Sequence, residues 1–433
     1  MSSAKDVTLI VLQHGLWGNK GHMKYIGNAI KTRLDSKSIE ILNVDINEAS
    51  YTYDGIDILG KRLAIVIQEH VKRLARRNRN VKRVVLIGYS LGGLMLRYAI
   101  GILGENGFFD TIEPFLFVTF ATPHLGVRRE PTSTFAKMFN FVTGRMLSRT
   151  GEQLQLLDKH EDGRPLLNIL ADPDREFYRH LSRFKKRRVY ANTVNDRTVP
   201  FWTAALESKH YFRTLKDVQL SLDTEYSSVI TAYDIRDAKQ HKSNRKPRSA
   251  SEIAIRYIIY ALFPILLPIF IPLAATYIGS QSIISRIRVS RLLKDNKPID
   301  LSKDSSLFEE DHDESTMHEI RENVNDTLLV GALDATNLGE TDVKETKDET
   351  KDLSLTYNVP PSETLSIQVQ TMQLCSNQME IQKNLKQLHW EKVLVYISGF
   401  NAHASIVCRE KRFVNDGGRA VIQHFVDSLS IDL

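Results

Sequence analysis

In this 433-residue sequence the clearest chemical signal is a serine held between two glycines, directly behind an uncharged apolar run. Gly88-Tyr89-Ser90-Leu91-Gly92 follows Val84-Val85-Leu86-Ile87 and precedes Leu94, Met95, Tyr98 and Ile102, which recur at helical spacing. In such a strand-to-helix turn the glycines relieve crowding, the turn lifts the hydroxyl above a sheet, and the helix start aims free N–H groups at developing negative charge. A hydroxyl is a weak nucleophile by itself, so Ser90 in that role requires a general base and a carboxylate to orient the base. The chain order that goes with this turn is serine, acid, histidine. Asp196 is favoured as the acid because it stands directly behind the apolar run 189–194. Asp234 and Asp237, behind a less apolar segment, are alternatives, and Asp196 could instead cap a turn. His403 is favoured as the base, three residues past the apolar run 393–400. His424 lies among Val421, Ile422, Phe425 and Val426, where a core or surface histidine is the plainer expectation. The oxyanion of an acyl-transfer intermediate needs two backbone donors. Leu91 supplies one, and Leu16 in the glycine-flanked His14-Gly15-Leu16-Trp17-Gly18 is expected to supply the other. His14 and His124 read as loop-shaping residues.

These residues must be carried by a regular frame, and the apolar pattern describes one. Continuous runs at 7–12, 39–46, 84–87, 115–120, 189–194 and 393–400 predict strands buried on both faces. Between 59 and 74, Leu59, Leu63, Val66, Ile67, Val71 and Leu74 mark one face of an amphipathic helix. Strands alternating with amphipathic helices imply an α/β fold with a mostly parallel sheet covered on both sides. Phe135, Met138, Phe139, Val142 and Met146 recur at helical spacing after Ala121-Thr122-Pro123-His124-Leu125-Gly126, which suits an apolar cap for a long acyl chain within residues 128–170 or an ordinary helix packed on the core.

Composition narrows the class. A hydrophobic fraction of 42% and a charged fraction of 25% are those of a globular chain. The two cysteines, Cys375 and Cys408, make neither a disulfide framework nor a zinc spacing, which points to reducing surroundings and to no metal or other cofactor. The first eleven residues do not read as a secretory signal, so the sequon at Asn325 is expected to be incidental. The net charge of +6 is unevenly placed: residues 300–352 hold 17 acidic and 5 basic residues, a local −12 that leaves +18 on the rest. That acidic stretch, with few aromatics and no period, reads as a disordered linker. The basic runs lack the aromatic interleaving of a nucleic-acid module, so no nucleic-acid partner is expected.

From Tyr257 to Ser285 no residue is charged, and Pro264, Pro268 and Pro272 recur every four residues. The length suits a membrane, but prolines at that spacing oppose one straight spanning helix. A hairpin entering one leaflet, with the basic flanks on the cytosolic side, is the favoured reading; a spanning helix and a buried segment of the enzyme are the others.

Taken together, HGLWG at 14–18, GYSLGG at 88–93, ATPHLG at 121–126, NDxxVP at 195–200 and NAHASIV at 401–407 resemble the fungal serine-esterase (lipase-like) family, most closely its lipid-droplet phospholipase branch. The resemblance implies an α/β-hydrolase fold, hydrolysis of glycerophospholipid acyl esters, residence on lipid droplets, and a triad at the positions of Ser90, Asp196 and His403. The expected organisation is a hydrolase core over 1–235, a hydrophobic membrane or droplet segment over 241–294, an acidic linker over 300–360, and the last strand and helix of the core over 385–433. The large insertion between acid and histidine is the main departure from a compact hydrolase. The expected activity is a serine lipase or phospholipase acting through an acyl-enzyme on a phospholipid or glyceride at a droplet surface or the cytosolic face of the endoplasmic reticulum. A neutral glyceride lipase, an acyl-protein thioesterase and a non-catalytic membrane-bound interaction protein are the alternatives.

Overall fold

The computed structural model describes residues 4–35, 37–131, 134–208, 212, 218–235, 276–294, 374–398 and 401–433. Six parallel strands form its sheet: β1 (Lys5–Gln13), β2 (Ile39–Asn43), β3 (Arg79–Tyr89), β4 (Glu113–Phe120), β5 (Lys186–Asn192) and, last in the chain, Glu391–Val395. Their order across the sheet is β2-β1-β3-β4-β5 and then the last strand. Successive residues of β1 enter opposite cores: Val7, Leu9 and Val11 join one buried cluster, Ile10 and Leu12 the other. That two-sided burial is why the strands read as unbroken apolar runs rather than as alternations.

Helices α1 (Lys24–Arg33), α2 (Ile56–Arg76) and α3 (Leu91–Glu105) provide the cover. Ile26 and Ile30 of α1 pack with Val421, Ile422 and Phe425 of the C-terminal helix Asp416–Asp432 on one face, while Leu59, Leu63 and Ile67 of α2 pack with Leu94, Met95 and Leu103 of α3 on the other. The chain runs from β1 outward to β2, then returns past β1 to begin β3. The carboxyl ends of β1 and β3 therefore flank a topological switch point, the crevice where parallel sheets place their ligand sites. The fold class expected from the sequence, an α/β-hydrolase with a mostly parallel sheet, is the one observed.

Three short helices, α4 (Phe108–Thr111), α5 (Thr134–Met146) and α6 (Ser148–Leu154), follow α3 in the chain. An antiparallel hairpin, Val218–Leu222 with Ile230–Ile235, has no counterpart among the sequence expectations. The last strand stops at Val395, short of the expected 400, because Tyr396 N–H turns to the Ser228 carbonyl at 2.8 Å. Of the hydrophobic segment expected over 241–294, only 276–294 is described, and it is helical. The three prolines, Asp237 and the acidic linker lie outside the described residues. No helix among the described residues is long and apolar enough to cross a membrane.

Candidate active site

Ser90 occupies the turn between β3 and α3 with φ 54° and ψ −126°. A non-glycine residue in that region stores about 1–3 kcal/mol of strain, held here by the surrounding structure. Ser90 N–H donates to the Phe120 carbonyl at 2.8 Å, and Thr122 Oγ1 donates to the Ser90 carbonyl at 2.8 Å. Two glycines permit the close passage of chain around it. A Cβ on Gly88 would lie 2.5 Å from the Gly93 backbone, and one on Gly92 would lie 2.4 Å from the Gln13 carbonyl oxygen. The motif spacing is thus a packing requirement: Gly92 lets α3 start against the end of β1.

Asp196 lies on the loop that leaves β5, and His403 on a one-turn helix, Ala402–Ser405, beyond the last strand. Their loops are stitched together. Asn195 accepts the Ala402 N–H through its carbonyl at 3.3 Å and donates its side-chain amide to the Ile397 carbonyl at 2.9 Å, and Thr193 Oγ1 donates to the Val395 carbonyl at 2.9 Å. Asn401 caps the short helix by accepting the Ala404 N–H at 3.0 Å.

The three side chains meet in one hydrogen-bonded chain. His403 Nδ1 is 2.9 Å from Asp196 Oδ2, and His403 Nε2 is 3.1 Å from Ser90 Oγ. A carboxylate only accepts, so Nδ1 carries the ring proton and Nε2 presents its lone pair to the serine hydroxyl. Asp196 is itself saturated: Oδ1 accepts the N–H groups of Thr198 at 3.2 Å and Val199 at 2.7 Å, and Oδ2 also accepts from Asn192 Nδ2 at 3.0 Å. Four donors hold this one side chain in place. All three side chains are nearly enclosed, so the polarity of the chain is little diluted by solvent.

The loop after β1 closes the other side. A Cβ on Gly15 would approach the Ser90 Cβ to 2.6 Å, so residues 14–18 run directly against the nucleophile. Leu91 begins α3 directly after Ser90, and Leu16 follows Gly15 in this loop with its side chain packed on the core. The loop is pinned from outside by Trp17 N–H, which donates to Thr52 Oγ1 at 3.1 Å, and by Ala49 N–H, which donates to the Gly18 carbonyl at 2.9 Å.

The remaining histidines have other surroundings. His14 is buried with Nδ1 3.0 Å from the Gly15 carbonyl, and burial pushes it down to about 4, so it stays neutral and shapes the loop. His124 bonds Thr119 Oγ1 at 2.9 Å, and its burial holds it well below the usual histidine range. His424 is enclosed under the sheet with Nδ1 2.9 Å from the Tyr190 hydroxyl, and burial pushes it down to about 4. Asp234 is an exposed residue of the hairpin Val218–Leu222 with Ile230–Ile235.

Several contributors escaped the sequence reading. Tyr89 lies under the base, its hydroxyl donating to the His403 carbonyl at 2.9 Å and its ring 5.1 Å from the imidazole. Its place inside the serine motif was the available signal. Asn192 carried none, since only folding brings its amide to Asp196. Arg129 ties α5 to the acid loop. Its guanidinium donates to the Arg197 carbonyl at 3.2 Å and stacks 4.4 Å from the Phe139 ring, while Asn140 brackets its backbone at 3.0 and 2.7 Å. The apolar face expected on α5 is only partly inward: Met138 is 51% exposed, as is 66% of Phe141, which was outside that pattern.

The family model described as "Putative serine esterase (DUF676)" matches residues 3–209, which include Ser90 and Asp196 and stop before His403. A protein of Schizosaccharomyces pombe described as a "Putative lipase" is 33% identical over 211 residues, 47% of this chain and 26% of that protein. "Putative lipase ROG1" of Saccharomyces cerevisiae is 32% identical over 221 residues, 50% of this chain and 31% of that protein. The matched part of the chain thus spans about a quarter to a third of the length of these relatives. Among solved structures, "Phospholipase PlaB from Legionella pneumophila in complex with thio-NAD" is similar at a TM-score of 0.31 and 15% identity, over 46% of this chain and 41% of that one.

Proposed function

We propose that this chain, whose residues 3–209 belong to the Putative serine esterase (DUF676) family, hydrolyses acyl esters of glycerophospholipids at a lipid surface through an acyl-enzyme. The observation that carries the reading is the unbroken path from Asp196 through His403 to Ser90, at 2.9 and 3.1 Å. In it, His403 Nε2 takes the Ser90 proton as Oγ attacks the ester carbonyl, and the N–H groups of Leu91 and Leu16 receive the oxyanion. Collapse of the tetrahedral intermediate breaks the bond to the glycerol oxygen, which leaves with the proton from Nε2. Water, deprotonated by the same nitrogen, then attacks the acyl-serine and releases the fatty acid. Asp196 keeps Nδ1 protonated throughout and stabilises the imidazolium.

A lipid substrate is favoured by the exposed Met138 and Phe141 on α5, the helix latched to the acid loop through Arg129. The uncharged run 257–285 between basic flanks supports residence on lipid droplets or on the cytosolic face of the endoplasmic reticulum. The test is hydrolysis of separate phospholipid, triglyceride and acyl-thioester substrates by wild type and Ser90→Ala. Phospholipid cleavage lost by about 10⁴-fold or more in the variant is expected. Preference for triglyceride or thioester would replace the substrate class, and an active Ser90→Ala would overturn the mechanism.

A further inference from the structure

The helix at 276–294 is built inside out. Its buried residues include Ser282 and Ser285, and Arg288 also turns inward, whereas Ile283, Ile284 and Ile287 are 61%, 49% and 47% exposed. At 100° per residue the three isoleucines share one stripe with Ser280, Arg291 and Lys294, opposite the buried Ser282, Ser285 and Val289, and Arg288 lies on the flank beside Ile284. A helix resting on a protein in water has the reverse polarity.

The inward face explains how this arrangement holds. Asp54, fully enclosed, accepts Ser285 Oγ at 2.7 Å, Arg288 Nε at 2.9 Å and Arg62 Nη2 at 2.8 Å. Arg288 also donates to the Ser50 carbonyl at 3.1 Å and lies 4.4 Å from the Tyr51 ring. Arg286 pairs with Glu152 of α6 at 2.7 Å. The helix is therefore fixed in rotation by polar contacts, and its isoleucines are directed outward by that fixation.

Charge selects what would cover them. Residues 276–294 hold four cations, Arg286, Arg288, Arg291 and Lys294, and no acid. Arg291 and Lys294 are exposed, with no acidic partner among the described residues. An apolar stripe edged by cations fits acyl chains below anionic headgroups, and the uncharged run 257–275 enters this helix directly. We infer that the outer face of the 276–294 helix is a docking surface for a phospholipid surface bearing anionic headgroups, seated by Ile283, Ile284 and Ile287. This rests on the lipid-surface reading above and names the part of the molecule that makes the contact.

The full chain tests it, in a Cys375→Ser background with an environment-sensitive fluorophore on Ile287→Cys. Vesicles of phosphatidylcholine with a minority of phosphatidylserine should shift its emission to the blue, less so in pure phosphatidylcholine or at high salt. In parallel, the triple variant Ile283→Ser, Ile284→Ser, Ile287→Ser should partition onto those vesicles about 100-fold less, from roughly half of three isoleucine side chains no longer leaving water. Its turnover of a soluble short-chain ester should match wild type, because these residues are outside the catalytic constellation. No emission shift, a probe already shielded without lipid by the chain itself or a second copy, or unchanged partitioning of the triple variant would each overturn the docking surface. Turnover of the soluble ester reports separately on the Ser90 mechanism, so loss of one reading is distinguishable from loss of the other.

Discussion

Replacing Asp196 by asparagine keeps the side-chain shape and changes which atom faces the imidazole, and the surroundings decide which way the amide turns. With its oxygen toward Thr198 and Val199 N–H, the amide would point Nδ2 at His403 and at Asn192 Nδ2, both donors today. The reverse orientation forfeits two backbone hydrogen bonds, together about 3 kcal/mol or more when the acceptor had been a carboxylate. The first orientation should therefore prevail, and His403 Nδ1 must then accept, which moves the ring proton to Nε2. In that tautomer the imidazole donates toward Ser90 Oγ and cannot take its proton. A triad acid exchanged in this way elsewhere lowers kcat by about 10⁴-fold, and a loss of that order is expected here. The assay is hydrolysis of a soluble short-chain ester with active sites counted by a fluorophosphonate, alongside the melting temperature. The expected result is impaired turnover with melting close to wild type. Turnover within about tenfold of wild type would refute the tautomer argument.

His403→Ala should abolish turnover and labelling, whereas His424→Phe, which removes only the Tyr190 partner, should keep turnover; the opposite pattern in ester assays would move the base to His424. Asp54→Asn leaves the buried Arg62 without its counter-charge and should cost about 3–5 kcal/mol, read as a melting temperature lower by roughly 6 °C or more; an unchanged value would mean the helix contact adds no stability. His14 and His424 are held at about 4 in the folded chain and return to an ordinary value near 6.5 on unfolding. Their folded values are depressed, so the unfolded chain binds the extra protons, and stability is full above pH 6.5 and falls toward pH 4. The loss is about 3 kcal/mol for each, measured as the denaturant midpoint against pH, and a flat profile across that window would contradict neutral burial.

The parts legible in the sequence share one property: they are short-range. Apolar runs such as 84–87 and 115–120 announce strands because two-sided burial leaves no place for polar residues, and Leu59 through Leu74 announces α2 by its repeat. The serine turn is legible because Gly88 and Gly92 answer a contact within a few residues or with the adjoining strand end. What the sequence left open depended on distant segments meeting. The hydrogen-bonded chain that brings His403 and Asp196, rather than His424 and Asp234, to Ser90 forms only where Asn195 ties its own loop to the His403 helix across about two hundred residues. Asn192 and Tyr89 reach their partners through the same closure. The 276–294 helix makes the contrast sharpest. Its residues read as the end of an apolar segment, yet their rotation was decided by a single buried carboxylate, Asp54, more than two hundred residues earlier in the chain. Local pattern fixes which side chains an element offers, and an enclosed charge that must be paired decides which of them turn inward.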